Sequence, residues 1–434
     1  MSKKQTKFFG IMIVTFCILG ILSGLTITPI YAAGIQFDEF QITTNHASQT
    51  QPDVYLYWIV YQDDRNGNWD IYMYDLQETI ATESQVTTNL ANQIEPAIHG
   101  EVIVYQDDRN GNWDIYMYNV FTKTETRITT NTASQQYPEI YGNRIVWEDN
   151  RNGHLEIYMY DLSTQTESRI TNSLASQDPA ISGNIITYEK QVFENNAYRW
   201  GVFYFDLTKN METLVSMTDK YNPAIDGNHI VYQTTWMFED YTVYRKVVMK
   251  DIISGATWES TFPAQQQNPD VSANLIVYQD NRENYGLNTG NPWDIYLYNL
   301  DTQIESKVTS NAANQFSPAI DFGQIVYVDD RNGNNDIYMT VISIAVSEPP
   351  IVRSVGPSST LNETENREPL LGSLGPSSTL DGTENLDISD NSINISDYFI
   401  FLTTMAVVIV VVLLNVFTWY SEKYKNKTPK ESLT

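Results

Sequence analysis

The sequence predicts an all-β protein, a seven-bladed β-propeller of four-stranded blades that is closed by an N-terminal strand and followed by a C-terminal transmembrane helix. Three observations favour this fold. One unit recurs seven times at the spacing of a propeller blade, each copy holds four short β-type runs, and one further β-type run stands alone before the first copy.

The recurring unit is most evident in an apolar triplet of the Ile-Val-Tyr type. Successive triplets lie 41 to 49 residues apart, which is the period of a propeller blade. A repeat of this kind extends one core sideways, as a chain of 434 residues requires. The triplets begin at Ile59, Ile103, Ile145, Ile186, Ile230, Ile276 and Ile325.

Each copy contains four strand-like runs, which are PAI or its equivalent, IVY, DIYMYDL and ESRIT, with turn-forming Gly, Asn and Thr between them. In DIYMYDL, Ile71 and Met73 alternate with Tyr72 and Tyr74, and a period of two is typical of a strand. Because both sets of side chains are large, we expect neighbouring blades to cover both faces of this strand.

The two ends of the repeat region indicate how the ring closes. EFQITTN, from Glu39 to Asn45, matches the last run of a unit, yet it precedes the first full unit. The seventh unit continues into TVISIAVSEPP without an obvious fourth strand. We therefore expect the N-terminal strand to complete the last blade, since closure leaves only short outer edges. Residues 36–347 are predicted to form the propeller.

Residues 1–33 have the features of a signal peptide. Three lysines precede an apolar run, and TPIYAAG supplies small residues for cleavage near Ala32 or Ala33. The only cysteine, Cys17, lies in this segment, so the mature chain would contain neither a disulfide nor a cysteine-based zinc site. The formal net charge of −27 predicts no nucleic-acid partner, because such a surface repels phosphate.

The C-terminal region is predicted to anchor the protein. Residues 348–397 are rich in Ser, Thr, Pro and Glu and are expected to form a disordered stalk, with acceptor patterns for N-glycosylation at Asn362 and Asn394. Residues 398–420 are long and apolar enough for a transmembrane helix. The short basic tail 421–434 predicts a cytoplasmic C-terminus, which places the propeller outside the cell on a single-pass anchor.

The motif Asp64-Arg65-x-Gly67 leads into Asp70-Ile71-Tyr72 and is preceded by an Ile-Val-Tyr strand. This pattern resembles the TolB-type (WD40-like) β-propeller repeat of periplasmic and cell-surface proteins, and the resemblance extends over all seven units. It implies a binding platform, or a non-catalytic propeller of the kind that accompanies a peptidase domain.

The acidic loop DDRNGNWD, residues 63–70, raises the question of a metal site. The ligand spacing of an EF-hand is absent from it. We interpret Asn66-Gly67 as the hairpin turn, with Asp63 or Asp70 paired to Arg65 and to turn amides. No cofactor is predicted, and calcium at these loops is kept as the alternative.

Signals for catalysis are weak in this sequence. His46, His99, His154 and His229 fall at unrelated positions of the unit, which favours solvated or turn histidines over a shared metal cluster. No GxSxG, HExxH or phosphate-binding glycine loop is present, so no catalytic residue is predicted. Paired carboxylates stay open, because a sequence does not give their separation.

The loops between second and third strands depart from the repeat in units four to six. Function is often carried by such irregular loops, and aromatic residues with arginine suit a binding hot spot. The alternative is that the longer loops bury their aromatic rings against each other. The predicted ligand-binding residues are Arg199, Trp200, Trp236, Phe238, Tyr241, Tyr285 and Trp293.

These observations together predict a membrane-anchored propeller at the cell surface that acts as a protein- or glycan-binding or scaffolding module and is not an enzyme. Its expected partners are an extracellular protein or glycan, and the membrane through the C-terminal helix. The alternative is an extracellular hydrolase or lyase that acts on a polymer at the propeller mouth. A third possibility is a self-assembling lattice component of the cell envelope.

Overall fold

The computed structural model describes residues 35–77, 81–217, 220–237, 243–261, 264–282 and 292–344. A boundary between Ser347 and Glu348 divides the chain into two units, and every described residue belongs to the first. The predicted signal peptide, stalk, transmembrane helix, basic tail and glycosylation sites Asn362 and Asn394 all lie outside these residues. Among the described residues, no helix is long and apolar enough to cross a membrane.

Seven antiparallel sheets of four strands each form the described part of the chain, which confirms an all-β, seven-bladed propeller. In blades 1 to 6 the strands follow chain order from the innermost to the outermost. The strands of blades 1 to 3 are β2 (Gln49–Tyr55), β3 (Trp58–Asp63), β4 (Asp70–Asp75), β5 (Thr82–Gln85), β6 (Gln93–His99), β7 (Val102–Asp107), β8 (Asp114–Asn119), β9 (Thr124–Arg127), β10 (Gln135–Tyr141), β11 (Arg144–Asp149), β12 (Glu156–Asp161) and β13 (Thr166–Arg169).

Blades 4 to 6 keep the same order, but the second and third strands of blades 4 and 5 are longer. Their strands are β14 (Ala175–Ser182), β15 (Ile185–Glu194), β16 (Ala197–Asp206), β17 (Met211–Met217), β18 (Lys220–Asp226), β19 (His229–Met237), β20 (Val243–Asp251), β21 (Thr257–Glu259), β22 (Gln266–Ser272), β23 (Leu275–Asp280), β24 (Asp294–Asn299) and β25 (Ile304–Lys307).

Blade 7 closes the ring in the predicted way. It consists of β26 (Gln315–Asp321), β27 (Gln324–Asp329) and β28 (Asp336–Ile344), with the N-terminal β1 (Ile35–Gln41) as its outermost strand. The pairing runs antiparallel from Ile35 opposite Ile344 to Gln41 opposite Tyr338. Backbone hydrogen bonds thus join the two ends of the propeller, and no blade lacks its fourth strand.

Each interface between blades is an apolar layer. On β3, Ile59 and Tyr61 pack against Val326 and Val328 of blade 7. The intervening Val60 packs with residues of blade 2 such as Ile103. The alternation in the sequence therefore buries both faces of the middle strands, as the repeat predicted, and burial of this kind is the main stabilising contribution to the fold.

Candidate active site in the central channel

The innermost strand of every blade lines the central channel. We call the face that carries the turns between the first and second strands the lower face. Each innermost strand contains a proline. The first residue after the proline belongs to the channel ring, and the third residue after the proline belongs to the lower ring. The channel ring consists of Asp53, Ala97, Glu139, Ala180, Ala224, Asp270 and Ala319, and the lower ring of Tyr55, His99, Tyr141, Ser182, Asp226, Ser272 and Asp321.

A bulge sets the direction of these side chains. The residue before each proline has a positive φ of 49° to 53°, and the pairing between first and second strands shifts at this point. The backbone N–H of this residue is bound by a side chain of the preceding blade: Glu95 donates to Gln62 Oε1 at 3.0 Å and Tyr137 to Gln106 Oε1 at 2.7 Å. These bonds offset the cost of the left-handed conformation.

Two of the three carboxyls in the channel ring connect neighbouring blades. Asp53 accepts the N–H groups of Val54 at 2.8 Å and of Ile98 in the next blade at 2.7 Å. Asp270 repeats the arrangement and accepts N–H groups from its own blade and from the next, both at 2.8 Å. Their first role is therefore structural.

Glu139 is different from these two carboxyls. Its side chain is exposed to the channel. Within the described residues, no hydrogen bond or ion pair reaches its carboxyl group. At the same position four other blades carry alanine, so the scaffold does not need a polar group there. Glu139 is thus a channel carboxyl without a structural partner.

The surroundings raise the pKa of all three carboxyls. For Glu139, desolvation between the channel walls and then the charges of Asp53, Asp270 and Glu95 raise the pKa well above its usual value. Desolvation raises the pKa of Asp53 to about 7 and that of Asp270 to about 6, against the opposing effect of their backbone hydrogen bonds. Blades 1, 3 and 6 are not adjacent, so these charges act across the channel.

Two residues of the lower ring depart from a hydrogen-bond pattern that the other five share. Five of its seven side chains accept the N–H of the residue that follows the lower ring in the next blade, as His99 Nδ1 does from Gly142 at 3.1 Å and Asp321 from Leu56 at 2.9 Å. Tyr55 and Tyr141 do not take part. Their rings stack on His99 from both sides, with centroid distances of 4.5 and 4.4 Å.

Above the channel ring, three further carboxyls meet between blades 3, 4 and 5. Glu148 and Glu189 take the place that glutamine has in blades 1, 2, 5 and 6, and they accept N–H groups from Asp178 at 2.7 Å and Asn222 at 2.8 Å. Desolvation raises the pKa of Glu148 to about 8, and desolvation with the charge of Asp178 raises that of Glu189 to about 9. As protonated acids, both can replace the neutral amide.

This arrangement predicts a pH-dependent stability. The folded state keeps the protons of Glu148 and Glu189 while the unfolded chain loses them above pH about 4.5, so the free energy of unfolding falls as the pH rises from there to about 8 or 9. We expect Glu148→Gln with Glu189→Gln to raise the stability at pH 8 by about 1–3 kcal/mol and to change little at pH 4. Melting temperatures at both pH values measure this.

The reciprocal change provides the control for that prediction. Gln106 has the same position in blade 2 and accepts the N–H of Tyr137. Gln106→Glu should therefore introduce a loss of stability that grows with pH. Equal melting temperatures of the double variant and the native chain at pH 8 would contradict the assignment.

The acidic loop at residues 63–70 forms the corner of a blade, as its structural interpretation predicted. Arg65 donates to the buried Asp63 through Nε at 2.8 Å and to Glu83 of the outermost strand at 2.8 Å, and its guanidinium lies 4.1 Å from the ring centroid of Tyr72. Gly67 has a φ of 90° in the turn. Equivalent corners are centred on Arg109, Arg151, Arg282 and Arg331.

The same contacts lead to an expectation about calcium. Both oxygens of Asp63 are occupied, one by the Arg65 N–H and the other by its guanidinium. Among the described residues, no group of three or more His, Cys, Asp or Glu is arranged to hold a metal ion. We expect the melting temperature to be the same in EDTA and in millimolar calcium. A rise of several degrees with calcium would contradict this, since a ligand of the native state stabilises it.

The structure describes only some of the predicted ligand-binding residues. Arg199 is exposed and Trp200 partly exposed on β16, and Trp293 is partly exposed just before β24. Trp236 belongs to β19. Phe238, Tyr241 and Tyr285 lie outside the described residues. Among Arg199, Trp200 and Trp293, no hydrogen bond or ring contact is found, and ligand binding by these seven residues stays a prediction.

Sequence reasoning missed the channel residues, although a signal for them exists. The residue after the proline of each innermost strand reads Asp, Ala, Glu, Ala, Ala, Asp and Ala in the seven copies. Glu139 replaces the alanine that four copies have at this channel-facing position. This departure from the repeat indicates a functional residue as clearly as the irregular loops of blades four to six do. His99 was also misjudged, because it ends β6 and is packed between two tyrosines instead of lying in a solvated loop.

No family model matches the chain, and no curated protein matches it. Solved structures do share the fold. An oligogalacturonate lyase from Vibrio parahaemolyticus is 12% identical, with a TM-score of 0.54 over 72% of this chain and 99% of that chain. The β-propeller domain of the Trilobed protease from Pyrococcus furiosus is 9% identical, with a TM-score of 0.53 over 71% and 98%. Acylaminoacyl peptidase from Pyrococcus horikoshii is 10% identical, with 0.51 over 68% and 51%.

TolB from Acinetobacter baumannii is also similar in structure, at 13% identity over 68% of this chain and 78% of that chain, but with a TM-score of 0.38. That score is too low to support an argument about membership. The similarities therefore show a propeller fold, and they do not establish the TolB-type family that the repeat motif resembles.

The comparison corrects the expected function. We predicted a binding or scaffolding module and no enzyme, but the similar propellers reported above are a lyase and parts of peptidases. The prediction of a non-catalytic module is wrong on this comparison, which favours the enzymatic alternative. Identities of 9 to 12% show the fold alone, so the reaction of this chain is a matter for proposal.

Proposed function

We propose that this chain is an enzyme, a hydrolase or lyase, that cleaves an extracellular polymer in the central channel. The observation that carries the proposal is Glu139, a carboxyl that faces the channel and has no hydrogen-bond or ion-pair partner among the described residues. Paired carboxyl groups are the usual means of acid–base cleavage of glycosidic bonds. Asp53 supplies the second group, because among the carboxyls that act on Glu139 its charge has the largest effect.

The two carboxyls are suited to different roles. Desolvation and the charges of Asp53, Asp270 and Glu95 raise the pKa of Glu139 well above its usual value, which suits it to donate a proton to the leaving oxygen as the bond to carbon breaks. Asp53, with a pKa of about 7, is ionised in part and accepts a proton. In a hydrolase this proton comes from the water whose oxygen bonds to the carbon. In a lyase it comes from a carbon next to a carboxyl, and a double bond forms.

The location of the enzyme belongs to the same proposal. The signal-like residues 1–33 would export the propeller, and the apolar segment 398–420 would hold it at the cell surface with the tail in the cytoplasm. The repeat motif supports a TolB-type relationship. A glycan is then the partner that fits best, since glycosidic bonds are cleaved by two carboxyls alone.

Turnover by the purified full-length chain tests the proposal. We would incubate it with a panel of polysaccharides and peptides and follow new reducing ends, new double bonds by their ultraviolet absorption, and new amines. Release of any of these products in proportion to enzyme concentration supports the proposal. A native, correctly melting protein that cleaves nothing in a broad panel would count decisively against it.

A further inference from the structure

The lower mouth of the channel has an aromatic half and a polar half. In blades 1 to 3 the lower ring is Tyr55, His99 and Tyr141, and in blades 4 to 7 it is Ser182, Asp226, Ser272 and Asp321. The three rings form one contiguous cluster, because the ring of His99 contacts both tyrosines, with interplanar angles of 40° and 43°. Tyr141 is 37% exposed, and Tyr55 and His99 are partly exposed.

The hydrogen bonds that connect the lower ring to the next blade do not explain the two tyrosines. The other five side chains of the lower ring accept an N–H of the next blade, and Tyr55 and Tyr141 do not. A ring closed by hydrogen bonds would be served better by serine or aspartate at these two positions. Partly exposed aromatic rings that these hydrogen bonds do not require, placed at the opening of the channel, are suited to contact a ligand.

The charge around this surface selects the ligand. Neither the channel ring nor the lower ring contains Lys or Arg, and together they contain the carboxyls of Asp53, Glu139, Asp270, Asp226 and Asp321. Such a channel repels polyanions and attracts cations. His99 does not oppose this charge, because desolvation lowers its pKa and Nδ1 accepts an N–H, which leaves the neutral ring with its hydrogen on Nε2.

We propose that Tyr55, His99 and Tyr141 form a subsite for a sugar ring that carries a protonated amine, a hexosamine unit of a cationic polysaccharide. The flat C–H face of such a ring packs on the aromatic surface, and its ammonium group is attracted by the aromatic faces and by the carboxyls of the channel. A lysine side chain offers the charge without the flat face, and a uronic acid offers the face with the wrong charge. The inference rests on the proposed function, since it names the substrate class of the same channel.

Binding to the full-length chain, measured by calorimetry at pH 6.5, tests this subsite. The probes are a glucosamine hexamer, its fully N-acetylated counterpart, a galacturonate hexamer and hexalysine. We expect the glucosamine hexamer to bind at least tenfold more tightly than each of the others. Tyr141→Ala should weaken its binding at least tenfold, and Tyr141→Phe should restore it to within about threefold, because the ring and not the hydroxyl provides the surface.

Phe121 supplies a matched control, because it is an aromatic residue of the lower face that is 67% exposed and lies in the turn between β8 and β9, away from the channel. Phe121→Ala should leave the affinity unchanged. Equal affinity for the N-acetylated or galacturonate hexamer, hexalysine binding as tight as the glucosamine hexamer, or full affinity in Tyr141→Ala would each overturn the subsite.

The same experiment separates this inference from the proposed function. Tight, tyrosine-dependent binding by a native chain that cleaves no polymer would overturn the proposed reaction and leave the subsite. Cleavage of another polymer, with no binding of the glucosamine hexamer, would overturn the subsite and leave the reaction.

Discussion

Replacing Glu139 with glutamine should lower the turnover rate by about 10²–10⁴-fold, because general acid catalysis by a positioned side chain contributes on this order. Glutamine keeps the size of the side chain and removes the proton that is donated. No hydrogen bond among the described residues is lost, so the melting temperature should not fall. Initial rates and thermal unfolding of the two proteins, measured side by side, check both halves of the expectation.

Glu95 offers a control of the same chemistry in the same channel. It accepts a hydrogen bond from Gln51 Nε2 at 2.7 Å, and its charge helps to raise the pKa of Glu139. Glu95→Gln should retain activity. The native rate should rise through pH about 7 as Asp53 ionises and fall when Glu139 ionises. In Glu95→Gln the falling limb should move to lower pH. Full activity of Glu139→Gln would show that Glu139 takes no part in the mechanism.

Replacing Glu39 with lysine should open the ring. Arg331 donates to Glu39 at 2.7 and 2.9 Å, and Tyr327 donates to it at 2.6 Å, so this carboxylate fastens β1 to blade 7. The substitution removes these bonds and brings two positive charges together. Since the corner is partly exposed, we expect a loss of about 2–4 kcal/mol. Thermal unfolding and limited proteolysis, followed by mass analysis of cleavage within residues 35–41, measure the effect.

The repeat supplies a control for this substitution. Glu125 makes the same contacts to Arg109 and Tyr105 within blade 2, but its strand β9 is joined to β8 by a short turn. Glu125→Lys should lower the melting temperature without exposing an end of the chain to protease. If both variants unfold alike and neither is cut within β1, the closure would not depend on the Glu39 corner.

Much of the fold could be predicted because every repeat contains the same local sequence patterns. The spacing of the triplets, the alternation in DIYMYDL and the isolated run EFQITTN each reflect a requirement that every blade repeats, namely two buried faces and a fourth strand. The role of Arg65 could be anticipated for the same reason, since its partner Asp63 lies two residues away. Local pairs of this kind need no knowledge of the tertiary structure.

The candidate site was not predicted, because its residues come from blades that are far apart in the chain. Asp53, Glu139 and Asp270 belong to blades 1, 3 and 6, and only the closed ring brings their charges to bear on one another. The irregular loops of blades four to six attracted the prediction instead. Three of the seven residues predicted there lie outside the described residues, and among Arg199, Trp200 and Trp293 no mutual hydrogen bond or ring contact is found.

The sequence by itself determined the number of blades, their four strands, the closing strand and the corner ion pairs, because these depend on periodicity and on neighbours within one unit. Only the tertiary structure decided which carboxyls have a structural partner and which do not. Asp53 and Glu139 occupy the same position of the repeat, yet one accepts two backbone N–H groups and the other accepts none among the described residues. That difference arises around the channel, where innermost strands of different blades meet. The hydrogen-bond partners of a side chain there come in part from other blades.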